Sequence, residues 1–342
     1  MGINSFLKLN LFLITLTLIL GSKNIYSQTD SSELRLTDKV RIAEAVRMSD
    51  EFGDNVWSNF NQTLFALLLV INENEYLFYH PSPSEDFLSI GFDSITGCEI
   101  FVRERIFSNN MLATFPAVNG VSTIVVGQPE NTSRSSLDWT VTLLHEHFHQ
   151  MQSSLPDYYE SVNSLDLSGG DETGMWMLNY DFPYDDQSIS DQYSKLIKSA
   201  MNTYLSDDSV IFNVNLKKYI GEREKFKSLL NENDYRYFSF QLWQEGIARY
   251  TEIKFTKILK DEYSPTESFK ELSDYISIDS FYVNIINKLL KSADTQILSF
   301  DKRNCFYTLG ALEGLIIDKT NPDWKDKYFT EKFFMENYFN IY

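Results

Sequence analysis

Residues 137–152 read Leu137-Asp138-Trp139-Thr140-Val141-Thr142-Leu143-Leu144-His145-Glu146-His147-Phe148-His149-Gln150-Met151-Gln152, and this stretch decides how the rest of the chain is read. Ser135 or Ser136 stands before it as a helix-capping residue, and Pro156 stands beyond it as a stop. Leu137, Val141, Leu144, Phe148 and Met151 share one stripe of roughly 80° on a helical projection. The pattern predicts a helix that buries one side and carries its histidines along the margin of the core.

The histidine spacing has a mechanical consequence. Residues advance about 100° each on an α-helix, so His145 and His149 stand ~40° apart and ~6 Å along the axis. Two imidazoles so placed can each bring a ring nitrogen to about 2.0–2.1 Å from one zinc ion. His147 points about 200° away from His145 and cannot join them. Glu146, about 100° round from His145, comes beside such an ion and not onto it, where its carboxylate can take a proton from a water. The chain has four histidines, and three of them fall within residues 145–149.

His145, Glu146 and His149 match H-E-x-x-H, and on these residues the chain resembles the zincin metallopeptidases. The resemblance implies a bound Zn2+ held by His145 and His149, Glu146 as the catalytic base, and a peptide or protein substrate. A tetrahedral catalytic zinc needs a third protein ligand. The chain is not a metzincin, because Gln152 and Leu155 occupy the positions of that group's glycine and third histidine. The remaining histidine, His80, lies in the proline-rich turn His80-Pro81-Ser82-Pro83 and is a poor candidate. Trp243-Gln244-Glu245-Gly246-Ile247-Ala248 resembles the W-x-N-E-G-x-A segment of the gluzincins, with Gln244 in place of Asn, and this implies Glu245 as the third metal ligand. Arg249 and Glu252 share the helix face of Glu245, so Arg249 would hold the ligand carboxylate or pair with Glu252. Glu172, in Gly169-Gly170-Asp171-Glu172-Thr173-Gly174, is a rival third ligand much nearer the motif in sequence. Tyr307 and Tyr250 are the candidates for stabilising the oxyanion. The strand expected over Ser122–Val126 precedes the motif helix, as the substrate-binding edge strand does in zincins.

The rest of the sequence frames this segment. Residues 31–75 read as helical, with Phe60, Leu64, Leu67, Leu68 and Ile71 at helical intervals, and Tyr76–Gly127 reads as strands and turns. Residues 156–190 are loop-rich, and from about Ser190 the pattern is mainly helical. The expected fold class is α+β and zincin-like, with a mixed sheet packed on the motif helix and a mainly helical C-terminal lobe. Lys8, the apolar stretch Leu9–Leu20 and the small residue Ser27 give residues 1–27 the layout of a signal peptide. Residues 28–342 are then one catalytic domain, with an α/β part to about 155 and a helical part over about 190–342. Export to the periplasm, cell surface or medium follows from that leader, without stable membrane insertion after its cleavage.

A net charge of -18 repels phosphate backbones, which disfavours nucleic-acid binding. Cys98 and Cys305 form no CxxC pair, so a thiolate zinc site is unsupported, and whether they join in a disulfide stays open. The leading expectation is an exported zinc metallopeptidase. The alternatives are a non-catalytic binding protein on the same scaffold and a zinc hydrolase of a non-peptide amide or ester.

Overall fold

The computed structural model describes residues 33–339, so the signal peptide expected over residues 1–27 lies outside the described residues. Helix α1 (Leu36–Val56) leads into β1 (Leu67–Val70) and β2 (Asn74–Phe78). Strands β3 (Leu88–Asp93), β4 (Cys98–Glu104), β5 (Leu112–Val118) and β6 (Val121–Gly127) follow, and then the motif helix α2 (Ser136–Ser153). Short helices α3 (Tyr158–Asn163) and α4 (Trp176–Asn179) interrupt the loop-rich region. Next come α5 (Gln187–Tyr204), α6 (Ser209–Leu229), α7 (Glu232–Gln241), a π turn (Leu242–Gly246) and α8 (Ile247–Glu262). The chain continues through α9 (Glu267–Lys270), α10 (Ile278–Thr295), α11 (Leu298–Asp301), α12 (Asn304–Thr320) and α13 (Lys325–Tyr328).

The fold is α+β with a mixed six-stranded sheet in the order β3-β4-β2-β1-β6-β5. β1 and β6 run parallel, and every other neighbouring pair is antiparallel. Leu67–Val70, expected to be helical, form a central strand instead. Leu67, Leu69 and Ile71 enter the main core under the helices, whereas Leu68 and Val70 enter a smaller cluster with Leu77, Phe87 and Val125 on the opposite face. A strand covered on both faces reads as an unbroken apolar run, which periodicity alone cannot tell from a buried helix.

β6 is also not the edge strand. It is flanked by β1 and β5, and β5 forms the edge on that side, with β3 at the other. Pro116 within β5 fits that position, because proline donates no ladder hydrogen bond and is tolerated at a sheet edge. The register shift between Phe115 and Val118 marks the same end of the strand as irregular.

The motif helix is more enclosed than its apolar stripe suggested. Ser135 caps it, its side chain accepting from Asp138 N. The predicted stripe is buried, but so are Trp139, Leu143, His147 and Gln150 on other faces. The reason is tertiary: β5 and β6 cover one side of α2, and α1 and α8 cover the others. Gln150 Nε2 donates to Ala66 O and Ser122 O, each at 2.8 Å, which fixes the helix to the sheet.

Two glycines set how closely α12 approaches the π turn. A Cβ on Gly246 would lie 2.5 Å from Gly310 Cα, and one on Gly310 would lie 2.8 Å from Leu242 O. Both obstacles are backbone, so neither can yield by a rotamer change. Gly310→Ala is therefore expected to cost about 1–3 kcal/mol of stability in urea unfolding, as overpacked sites do. The same change would displace the segment that carries Glu245.

Candidate metal centre

α2 and the π turn before α8 bring His145, His149 and Glu245 together. Their facing atoms form a triangle: His145 Nε2 to His149 Nε2 is 3.2 Å, His149 Nε2 to Glu245 Oε2 is 3.4 Å, and His145 Nε2 to Glu245 Oε2 is 3.6 Å. Two zinc bonds of 2.0–2.1 Å at a tetrahedral angle separate their donor atoms by about 3.3–3.4 Å. The set fits a zinc-sized ion in type, number and separation. Glu245 reaches this triangle from a π turn, an irregularity that re-aims a helical side chain and recurs at functional sites.

The electrostatics are those of a cation site. Burial works against charge on His145, but the hydrogen bonds of Glu245 and Glu252 prevail, and its pKa is raised to about 9. Burial likewise opposes the charge on Glu245, yet His149 and His145 hold its carboxyl far below the usual range. A negative pocket thus draws positive charge onto the imidazoles, and a divalent ion would take the place of those protons.

Each histidine is held from behind through its other ring nitrogen. His145 Nδ1 lies 2.7 Å from Glu252 Oε1, and Arg249 Nη1 lies 2.8 Å from Glu252 Oε2. Of the two partners open to Arg249 in sequence, it is Glu252 that Arg249 takes. His149 Nδ1 lies 2.7 Å from Gln152 Oε1, while Gln152 Nε2 donates to Tyr328 Oη at 2.8 Å. Such partners fix the ring orientation and leave each Nε2 facing the triangle, free to take a metal ion.

Glu146 is buried beside the triangle. Thr114 on the edge strand β5 places its hydroxyl 2.8 Å from Glu146 Oε2 and 3.0 Å from Glu146 O. That contact anchors the carboxylate to the strand that would receive substrate. His147 is elsewhere, against Phe60 and Phe65, with Nδ1 2.7 Å from Gln150 Oε1 and a pKa pushed down by burial to about 4.

The triangle opens into a cleft of about 830 Å³, which Thr114, Glu146, Tyr158, Arg303 and Tyr307 also line. Tyr307 hydrogen-bonds to Arg303, and burial together with the charge of Glu245 raises its pKa well above the ordinary phenol value. It therefore stays protonated as a donor at neutral pH. Tyr250, the other oxyanion candidate, is fully buried with Oη on Asp318 at 2.8 Å and lies outside the cleft lining. Glu172 is exposed on its loop and outside the triangle, so the rival third ligand is not brought to the histidines. His80 packs by Val118, with Nε2 3.3 Å from Val118 O, and takes no part. Cys98 and Cys305 are free thiols.

Sequence reasoning missed Thr114, the contact of Gln152 with His149 and the contact of Glu252 with His145, having placed Glu252 only as a partner of Arg249. Gln152 follows His149 by three positions, the spacing of facing helical neighbours, so its signal was present. Thr114 had none, because only strand pairing brings β5 beside α2. Comparisons with protein families, characterised proteins and solved structures give no match, so the metal centre itself carries the functional argument.

Proposed function

We propose that this chain is an exported zinc-dependent metallohydrolase of gluzincin type that cleaves peptide bonds. The observation that carries the reading is the triangle of His145 Nε2, His149 Nε2 and Glu245 Oε2, with sides of 3.2, 3.4 and 3.6 Å. Zinc held there would supply Lewis acidity, polarising a carbonyl and lowering the pKa of a water to about 7.

The chain's own residues account for the remaining steps. Glu146, oriented by Thr114, takes the proton of the attacking water and returns it to the leaving amine. Tyr307 donates its phenolic hydrogen to the oxygen that gains negative charge. The open edge of β5 pairs with an extended peptide backbone and holds the scissile bond along the cleft. Glu252 with Arg249, and Gln152 with Tyr328, keep the imidazoles from rotating. Support for export is the leader-like layout of residues 1–27.

The test uses the chain without its leader. Metal analysis is expected to find one zinc per molecule, and mass spectrometry to find cleaved products from a mixed peptide library. A chelator should abolish cleavage and added zinc should restore it. A protein that takes up no zinc under metal-replete conditions would refute the reading outright. Zinc uptake with no peptide cleavage would leave a metal site and remove the peptidase.

A further inference from the structure

Three arginines line the cleft, and two are committed to acids. Arg134 Nη1 lies 3.0 Å from Asp138 Oδ2, and Arg249 Nη1 lies 2.8 Å from Glu252 Oε2. Arg303 makes no ion pair among the described residues. Its one side-chain hydrogen bond runs from Nη1 to Tyr307 Oη, so Nε and Nη2 have no protein partner there. Such an arginine is conspicuous in a chain with 48 acidic residues against 30 Lys plus Arg. The acid nearest in sequence, Asp301, accepts the Ile297 N–H at 2.8 Å. Tyr184, Tyr237 and Tyr307 lie within range of the Arg303 charge. Arg303 also stands at the N-terminal end of α12, whose first turn holds no acidic residue, and the positive end of that helix dipole adds to its field.

We propose that Arg303 binds a carboxylate of the substrate, namely its free C-terminus, so that the cleft works from the C-terminal end of a peptide. The inference rests on the peptidase reading above and narrows its substrate class. A guanidinium presents its N–H groups as a planar fork that matches a carboxylate, and the two nitrogens left free here are the pair that such a fork uses. Position favours the chain end over a distant acidic side chain. Arg303 stands one helical turn before Tyr307, and the charges of Glu245 and Glu146 both bear on the Tyr307 hydroxyl. One turn spans about 5.4 Å, the reach of one to two extended residues beyond the bond to be broken. A local cation is also what an anionic chain end would need against a protein of net charge -18.

The test is binding without turnover, on zinc-loaded Glu146→Gln protein in a calorimeter. The probes are acetyl-Phe-Ala-Leu as free acid, the same peptide as C-terminal amide, and acetyl-Phe-Ala-Glu as C-terminal amide. The free acid is expected to bind about tenfold to a hundredfold more tightly than its amide, the range that a charged hydrogen bond contributes. Adding Arg303→Met should erase that ratio, and Arg303→Lys should keep part of it, which shows that the fold survives. If Arg303 merely positions Tyr307, both peptides should weaken together and the ratio should persist, which overturns the proposal. Equal affinity for all three probes in the Glu146→Gln protein also overturns it. Tighter binding of the glutamate amide than of the free acid would keep the carboxylate site and remove the C-terminal assignment. Because binding is read apart from cleavage, a ratio that depends on Arg303 in a protein that never cleaves peptides would refute the peptidase and retain the anion site.

Discussion

Glu146→Gln is expected to lower peptide cleavage by about 10²–10⁴-fold while leaving zinc content at one per molecule, the range that a positioned general base contributes. The amide keeps the shape of the carboxylate and can still accept from the Thr114 hydroxyl, 2.8 Å away in the native protein. It cannot take a proton from water. Because Glu146 lies beside the donor triangle and not in it, metal uptake should be untouched. The measurement pairs kcat/KM on one library-derived peptide with metal analysis of the same sample. Cleavage within a factor of about ten of wild type would remove Glu146 from the mechanism, since a lost general base costs more than that.

Glu245→Ala is expected to act on the other half of the chemistry. It deletes one corner of the triangle and leaves His145 and His149 3.2 Å apart with no carboxylate among the candidate ligands. Zinc affinity should fall by more than about a hundredfold, beyond the 10–100-fold typical of losing a supporting partner. Thermal unfolding gives an independent reading. Zinc at a thousandfold excess over its Kd would stabilise the wild type by about 4 kcal/mol, and a hundredfold loss of affinity should cut that increment to about 1.4 kcal/mol or less in the variant. Glu172→Ala serves as the control and should bind zinc as the wild type does, because Glu172 is exposed on its loop. Zinc retained by Glu245→Ala and lost by Glu172→Ala would reverse the assignment of the third ligand.

The two variants separate the roles that adjacent chemistry confuses. Loss of cleavage alone points to the base, whereas loss of metal carries cleavage with it. Gly310→Ala is a third probe, because it touches no ligand and acts only by moving the π turn that aims Glu245.

The sequence by itself determined what local periodicity and spacing can encode. The interval between His145 and His149 and the exclusion of His147 follow from 3.6 residues per turn, which needs no partner to be stated, whereas the cap was open between Ser135 and Ser136 and is Ser135. The strand-and-turn region after Tyr76, marked by its glycines, prolines and β-branched runs, and the helices beyond Ser190 were also legible from local pattern. Only the tertiary structure decided the rest. Leu67–Val70 is a strand because β2 and β6 flank it and apolar clusters cover both its faces, a condition set by residues far away in the chain. β5, not β6, is the open edge because of strand order, and that order puts Thr114 on Glu146. Which helix faces meet across the cleft brings Glu245 and not Glu172 to the histidines, and puts Tyr307 and not Tyr250 in the cleft lining. Such meetings depend on side chains that approach only once the core has closed, and no local pattern records them.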